Sequence, residues 1–219
     1  MSDGPFSKLK IAVLDYEAGN LRSVHKALLK CGASALITSD PKVISDSDGL
    51  VFPGQGACDT SMRKLREKGL DECVKKYIES GKPFLGICLG LQLLLETSDE
   101  GNEKGLGVIE GRVRRLPRGV KIPHMGWNRV AFTNLHPVFR GIPDESYFYF
   151  VHSYYADPKE SSAIIGRTNY GLEFCSALAF KNVISVQFHP EKSGYMGLKL
   201  YSNFLGLIVS GAQAGENWI

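Results

Sequence analysis

The segment Gly86-Ile87-Cys88-Leu89-Gly90-Leu91-Gln92 places a thiol between two glycines, behind one apolar run and ahead of another. By itself it has two readings. Cys88 is either a core cysteine with no chemistry or a nucleophile raised on a sharp strand-to-helix turn, where small neighbours are needed because backbone packs against the turn. In the second reading Cys88 stands at a helix N-terminus, whose dipole and unpaired N–H groups favour a thiolate. The Leu89 N–H would then face an oxyanion formed on an attacked carbonyl.

A thiol nucleophile needs a base, and the chain has five histidines. His25 falls in a helical pattern and His136 precedes Pro137; both read as structural or solvated. His189 ends the apolar strand of "ISVQFHPEKSG", with Glu191 two residues on and Pro190 holding the chain extended between them. Residues i and i+2 of an extended chain point to the same side. The carboxylate can therefore reach the imidazole, set its tautomer and stabilise its cation. In isolation a His-Pro-Glu also reads as a strand end with solvated charges. A third feature is the turn Pro53-Gly54-Gln55-Gly56 at another strand end. It reads as a phosphate-binding loop or as the second wall of an oxyanion hole. Neither a GxGxxG nor a following Gly-Lys-Ser/Thr supports the phosphate reading.

Elements must bring these three features together. "KIAVLDY" (10–16), "ASALITSD", "DGLVFPGQGA" and "KPFLGI" read as strands, the first a continuous buried run. Helical patterns separate them: "LRSVHKALLKCG" closed by Gly32, then "TSMRKLREKGLDECVKKYIESG" broken at Gly69, then "LGLQLLLETS" directly behind Cys88. This alternation predicts a parallel sheet covered by helices. In the second half "GRVRRLP", "NRVAFT", "SYFYFVHSYYA", "AIIGRT" and "FCSALAFKNVISVQFHP" read as antiparallel strands, and "GYMGLKLYSNFLGLIVSG" as a closing helix. The 219 residues suit a single domain, placed at residues 8–210 with flexible termini at 1–7 and 211–219.

Composition narrows the function. A net charge of +3 without a clustered basic face argues against nucleic acid or an anionic membrane as partner. The local group Arg112, Arg114, Arg115 and Arg118 reads as a solvated face, or as an anionic docking surface. Five cysteines, an odd number with no CxxC pair, argue against a disulfide framework or a zinc site. No apolar run approaches the roughly 18 residues of a membrane span, and the N-terminus lacks a signal-peptide core. A cytoplasmic protein is expected.

Taken together, "GICLGLQ", "QFHPE" and "FPGQGA" resemble the class I (triad-type) glutamine amidotransferases. That resemblance implies a three-layer α/β fold, a central mixed and mostly parallel sheet flanked by helices with additional antiparallel strands. It implies hydrolysis of glutamine to glutamate and ammonia through a cysteinyl thioester. "IAVLDYEAGNLRSV", "KIPHMGWN", "YFYFVHSYY" and "HPEKSG" are more narrowly similar to the glutaminase subunits of imidazole glycerol phosphate synthases, of histidine biosynthesis. Those subunits work as heterodimers with a (β/α)8-barrel cyclase, which uses the channelled ammonia to make imidazole glycerol phosphate and AICAR.

By this resemblance Cys88 is the nucleophile, His189 the general base and acid, and Glu191 the orienting carboxylate. Leu89 and the Gly54–Gln55 peptide form the oxyanion hole, and that peptide is reoriented when partner and ligand bind. Gln92 and the backbone of Gly54, Gly56, Ser153 and Tyr154 hold the substrate. His152 shares that strand end but is not the base. Trp127, Asn128, Tyr149 and Lys192 meet the partner. No metal or organic cofactor is implied. Gln55 departs from the valine common in the family at its position; the N–H is unaffected, but a polar side chain bears on how the peptide turns. The competing readings are the glutaminase subunit of another synthase (anthranilate or pyridoxal phosphate), a cysteine peptidase or DJ-1-like protein, and a non-catalytic scaffold.

Overall fold

In the computed structural model, which describes residues 5–211, the first half of the chain alternates as its apolar runs predict. In chain order it forms β1 (Lys10–Leu14), α1 (Leu21–Lys30), β2 (Ser34–Thr38), α2 (Pro41–Ser45), β3 (Gly49–Gly54), α3 (Cys58–Glu67), α4 (Leu70–Glu79) and β4 (Phe84–Cys88). The rest forms α5 (Leu89–Gln92), β5 (Thr97–Ser98), β6 (Gly111–Arg115), β7 (His124–Phe132), β8 (Ser146–His152), β9 (Tyr154–Pro158), β10 (Ile164–Asn169), β11 (Glu173–Phe180), β12 (Val183–Val186) and α6 (Gly194–Val209). The main sheet runs β2-β1-β3-β4-β12-β11-β10-β7-β8. Its first five members are mutually parallel and the remainder antiparallel. Strands β5, β6 and β9 flank it, β9 joining at β11.

β3 and β4 are buried at every residue because both of their faces are covered. Alternate side chains serve opposite layers. Ile11, Val13, Val51, Leu85 and Ile87 share one core with Val24 and Leu28 of α1 and with Leu200 and Phe204 of α6. Ala12, Leu14, Leu50, Phe52 and Phe84 share the other with Met62 and Leu65 of α3 and Val74 of α4. Each such leucine or phenylalanine taken fully out of water contributes about 2 kcal/mol to holding helix on sheet.

Four expectations need correction. The helix behind Cys88 ends at Gln92 instead of running through "LGLQLLLETS". The carbonyls that would continue it are taken by a distant loop: Leu93 accepts from Leu106 N, and Leu94 from Val108 N and Ile109 N. "SYFYFVHSYYA" breaks at Ser153, where the chain leaves β7's partner strand and β9 pairs with β6. A short helix, α2, fills the turn after β2, opened by Asp40, whose side chain accepts from Lys42 N. Of the termini expected to be flexible, residues 5–8 form a turn whose Phe6 packs on the core, with Leu9 N donating to Phe6 O; residues 1–4 and 212–219 lie outside the described residues. Among the described residues no helix is long and apolar enough to cross a membrane.

Candidate active site

Three strand ends meet at one edge of the parallel half. Gly54 closes β3 in register with Cys88 at the end of β4, and Val186, three residues before His189, is paired with Ile87. The order β3-β4-β12 thus brings together motifs 34 to 135 residues apart, at the carboxyl edge where open α/β sheets place their sites. Cys88 has φ 55° and ψ −105°, a conformation that costs a residue with a Cβ roughly 1–3 kcal/mol. The surrounding main chain enforces it. A Cβ on Gly90 would lie 1.9 Å from the Phe52 carbonyl oxygen, and one on Gly86 would lie 2.4 Å from Ser185 Oγ. Only glycine fits either position, so the sulfur is turned out of the sheet.

His189 faces that sulfur. Its Nδ1 donates to Glu191 Oε1 at 2.7 Å, and its Nε2 is buried without a hydrogen-bond partner. Burial penalises the imidazolium, but the neighbouring Cys88 sulfur and the Glu191 carboxylate outweigh it and raise the His189 pKa above its ordinary value. With α5 only four residues long, the charge beside the sulfur comes from His189 far more than from a helix dipole. Glu191 is fully enclosed, so its remaining capacity needs donors. Asn20 Nδ2 donates to the same oxygen as His189, and Tyr201 OH lies 3.4 Å from the other. The backbone of His189 is held as well: its N–H donates to Tyr149 O, and its carbonyl accepts from Ser193 Oγ.

Above Cys88 opens a cavity of about 450 Å³ lined by Gln55, Gly56, Leu89, Gln92, Ser153 and Tyr154. Gly54 sits behind this lining, where a Cβ would fall 2.2 Å from the Tyr16 hydroxyl. Both hydrogens of the Gln92 amide are used, one on Tyr154 O at 2.8 Å and one on Gln187 Oε1 at 3.0 Å. Gln187 Nε2 in turn lies 3.6 Å from the Cys88 sulfur. Glu100 adds the one carboxylate of the lining and Lys192 the one ammonium.

The cavity continues onto the β7–β8 ribbon through Met125, Tyr149 and Val151. Register pairs Met125 with Val151, Trp127 with Tyr149 and Arg129 with Tyr147, so these six share one face. Trp127 is 55% exposed and stands edge-on to Tyr149, over whose ring the Lys192 ammonium lies at 5.9 Å. Asn128 differs from the sequence expectation. It points to the opposite face, where its Nδ2 meets His124 Nε2 and the Asn169 carbonyl.

The structure places the other singled-out residues as follows. His25 Nε2 bonds the Ala35 carbonyl, and His136 Nδ1 accepts from Val138 N at the start of a 3₁₀ turn. Arg112 pairs with Asp99 and Arg114 with Asp157 on exposed strand positions, the geometry of a solvated face worth little in stability. Asn20, Glu100, Gln187 and Tyr201 escaped the sequence reading. Asn20 lies 171 residues from the glutamate it holds, and only the left-handed backbone at φ 73° in "EAGN" hinted at it.

The family described as "Glutamine amidotransferase class-I" matches residues 12–206, and the chain belongs to it. Among its relatives, the imidazole glycerol phosphate synthase subunit HisH of Dehalococcoides mccartyi (strain CBDB1) is 49% identical over 89% of this chain and 95% of its own length. The corresponding HisH of Moorella thermoacetica is 48% identical over 94% and 99%. Within the family the chain is therefore a member of the HisH group. The solved structures extend the likeness in fold alone. A chain described as a glutamine amidotransferase superposes with a TM-score of 0.72 at 22% identity, covering 91% of this chain and 98% of its own. A GMP synthase component from Thermoplasma acidophilum gives 0.71 at 24%, covering 93% and 96%.

Proposed function

We propose that this chain is the glutaminase subunit of an imidazole glycerol phosphate synthase, releasing ammonia from glutamine at Cys88 for a (β/α)8-barrel cyclase bound across the β7–β8 face. The observation that carries the chemistry is the His189 ring, with Nδ1 on Glu191 and a buried, unbonded Nε2 beside a strained cysteine. The Cys88 thiolate adds to the side-chain carboxamide carbon of glutamine. The oxyanion is received by the Leu89 N–H and by an N–H of the Gly54–Gln55 peptide. His189 Nε2 protonates the departing nitrogen, ammonia leaves, and a thioester remains. Water then gives a proton to Nε2 as it attacks the thioester; glutamate leaves and the thiolate is restored. Glu191 keeps the ring oriented and its cation stable throughout. Gln92 and the backbone at Gly56, Ser153 and Tyr154 hold the substrate, and Glu100 suits its ammonium group.

Glutamate release by the chain alone, and by its complex with the nucleotide-loaded barrel partner, tests this reading. Low activity alone and a large rise in the complex are expected, because the Gly54–Gln55 peptide lies in a glycine-flanked turn free to reorient. Full activity without a partner contradicts the regulated site, and stimulation by a chorismate-dependent synthase instead assigns another pathway.

The docking face makes its own expectation. Trp127→Ala should weaken association with the barrel subunit by about 2 kcal/mol or more, since exposed aromatic anchors dominate interface energies. The melting temperature of the isolated chain should change little, because Trp127 is already half in water. Titration calorimetry and a thermal melt check both; an unchanged dissociation constant with a lowered melting point would make Trp127 part of the fold instead.

A further inference from the structure

Two buried histidines beside the cavity take no part in the steps above. His124 and His152 are register partners across β7 and β8, 3% and 6% exposed, with His124 Nδ1 2.8 Å from His152 Nε2. The far nitrogen of His152, Nδ1, lies 2.8 Å from the Tyr154 carbonyl. A carbonyl only accepts, so that nitrogen carries a hydrogen. Burial lowers both pKa values, to about 4 for His124 and about 3 for His152, so each ring carries a single hydrogen at neutral pH.

The directions then follow without choice. The His152 hydrogen is on Nδ1, its Nε2 accepts, and His124 must donate from Nδ1. His124 Nε2 is left as an acceptor, and the group facing it is the Asn128 amide nitrogen at 3.2 Å. The second amide hydrogen of Asn128 goes to the Asn169 carbonyl at 3.0 Å, and its oxygen accepts from Arg129 N at 2.8 Å. Stacking between Tyr170 and Phe150 fixes the His124 ring plane. At the other end the Tyr154 carbonyl accepts a second hydrogen, from Gln92, which continues through Gln187 to the Cys88 sulfur. A one-way chain thus runs from the strand that bears Trp127 to the nucleophile. It crosses the Ser153 break, where the chain passes from one strand pairing to another and backbone support is weakest.

We propose that His124 and His152 are positioning residues for glutamine: their hydrogen-bond relay fixes the Tyr154 carbonyl and through it the Gln92 amide, so that the docking strand and the cavity wall hold one arrangement. The proposal rests on the reading of the cavity as a glutamine site, and its test separates the two.

The first measurement needs no activity. Nitrogen-15 NMR of the histidine side chains of the full chain at neutral pH should show protonated Nδ1 and bare Nε2 on both rings. A hydrogen on Nε2 of either ring, or an imidazolium, overturns the relay. The second uses two variants in the complex with the barrel subunit. His152→Asn sets an amide near the Nδ1 position and can still donate to Tyr154 O. His152→Gln reaches instead to the Nε2 position and leaves that carbonyl short of a donor. His152→Gln should raise the KM for glutamine about tenfold with a smaller change in kcat, and His152→Asn should recover most of that rise. Equal KM values for the two variants, or a loss confined to kcat, overturn the positioning role. A wild-type complex that releases no glutamate sinks the glutamine reading, while the NMR result still judges the relay.

Discussion

Cys88→Ala is expected to lower glutaminase activity of the complex by about 10⁴-fold or more, to the level left by binding and oxyanion contacts alone. The variant should fold as the wild type does, because the thiol is a minor part of the core while the turn is made by its glycine neighbours. Cys88→Gly sharpens the expectation. The backbone at φ 55° and ψ −105° is unfavourable for any residue with a Cβ and open to glycine. The glycine variant should be as inactive as the alanine variant and more stable than it by roughly 1 kcal/mol or more, the strain that cysteine tolerates in order to present its sulfur. Glutamate release and urea unfolding measure the two effects separately. An alanine variant within tenfold of wild type would remove Cys88 from the chemistry.

The second large effect is on stability. Gly90→Ala is expected to destabilise the fold by about 3 kcal/mol or more, the upper range for overpacking a core. The added methyl would lie 1.9 Å from the carbonyl oxygen of Phe52, main chain in the middle of β3. A flexible side chain could swing aside; a strand hydrogen-bonded to β1 and β4 cannot. Gly206→Ala is the control. It lies in α6 with nothing within 4 Å of the new methyl, and alanine is the better helix former by about 1 kcal/mol, so it should be neutral or stabilising. Urea midpoints for both variants decide the matter; a Gly90→Ala protein as stable as wild type would mean that the elbow is not tightly packed.

The parallel half was legible in the sequence because strands covered on both faces must be apolar throughout, as in β3 and β4. The break at Gly69 and the stop at Gly32 were equally plain, since both sit at positive φ where other residues are strained. The early end of α5 was not legible, because the groups that compete for its carbonyls come from residues 106–109. The triad and the glycine turn could be found since each lies in a short local motif. Asn20, Glu100 and Gln187 could not, because their importance arises only when the sheet order brings distant strand ends together. Asn128 shows the remaining gap. Its place beside Trp127 in the sequence suggested the docking face, yet the strand period of two sends it the other way, into the histidine relay.

Labelling by a glutamine analogue with a diazo ketone in place of the carboxamide tests the central claim most directly. The analogue needs the same thiolate and the same glutamine pocket as the substrate, and five free cysteines compete for it. Peptide mapping of the labelled complex should place the adduct on Cys88, in step with loss of glutaminase activity and prevented by excess glutamine. An adduct on any other cysteine, or full activity after Cys88 is labelled, would contradict the account.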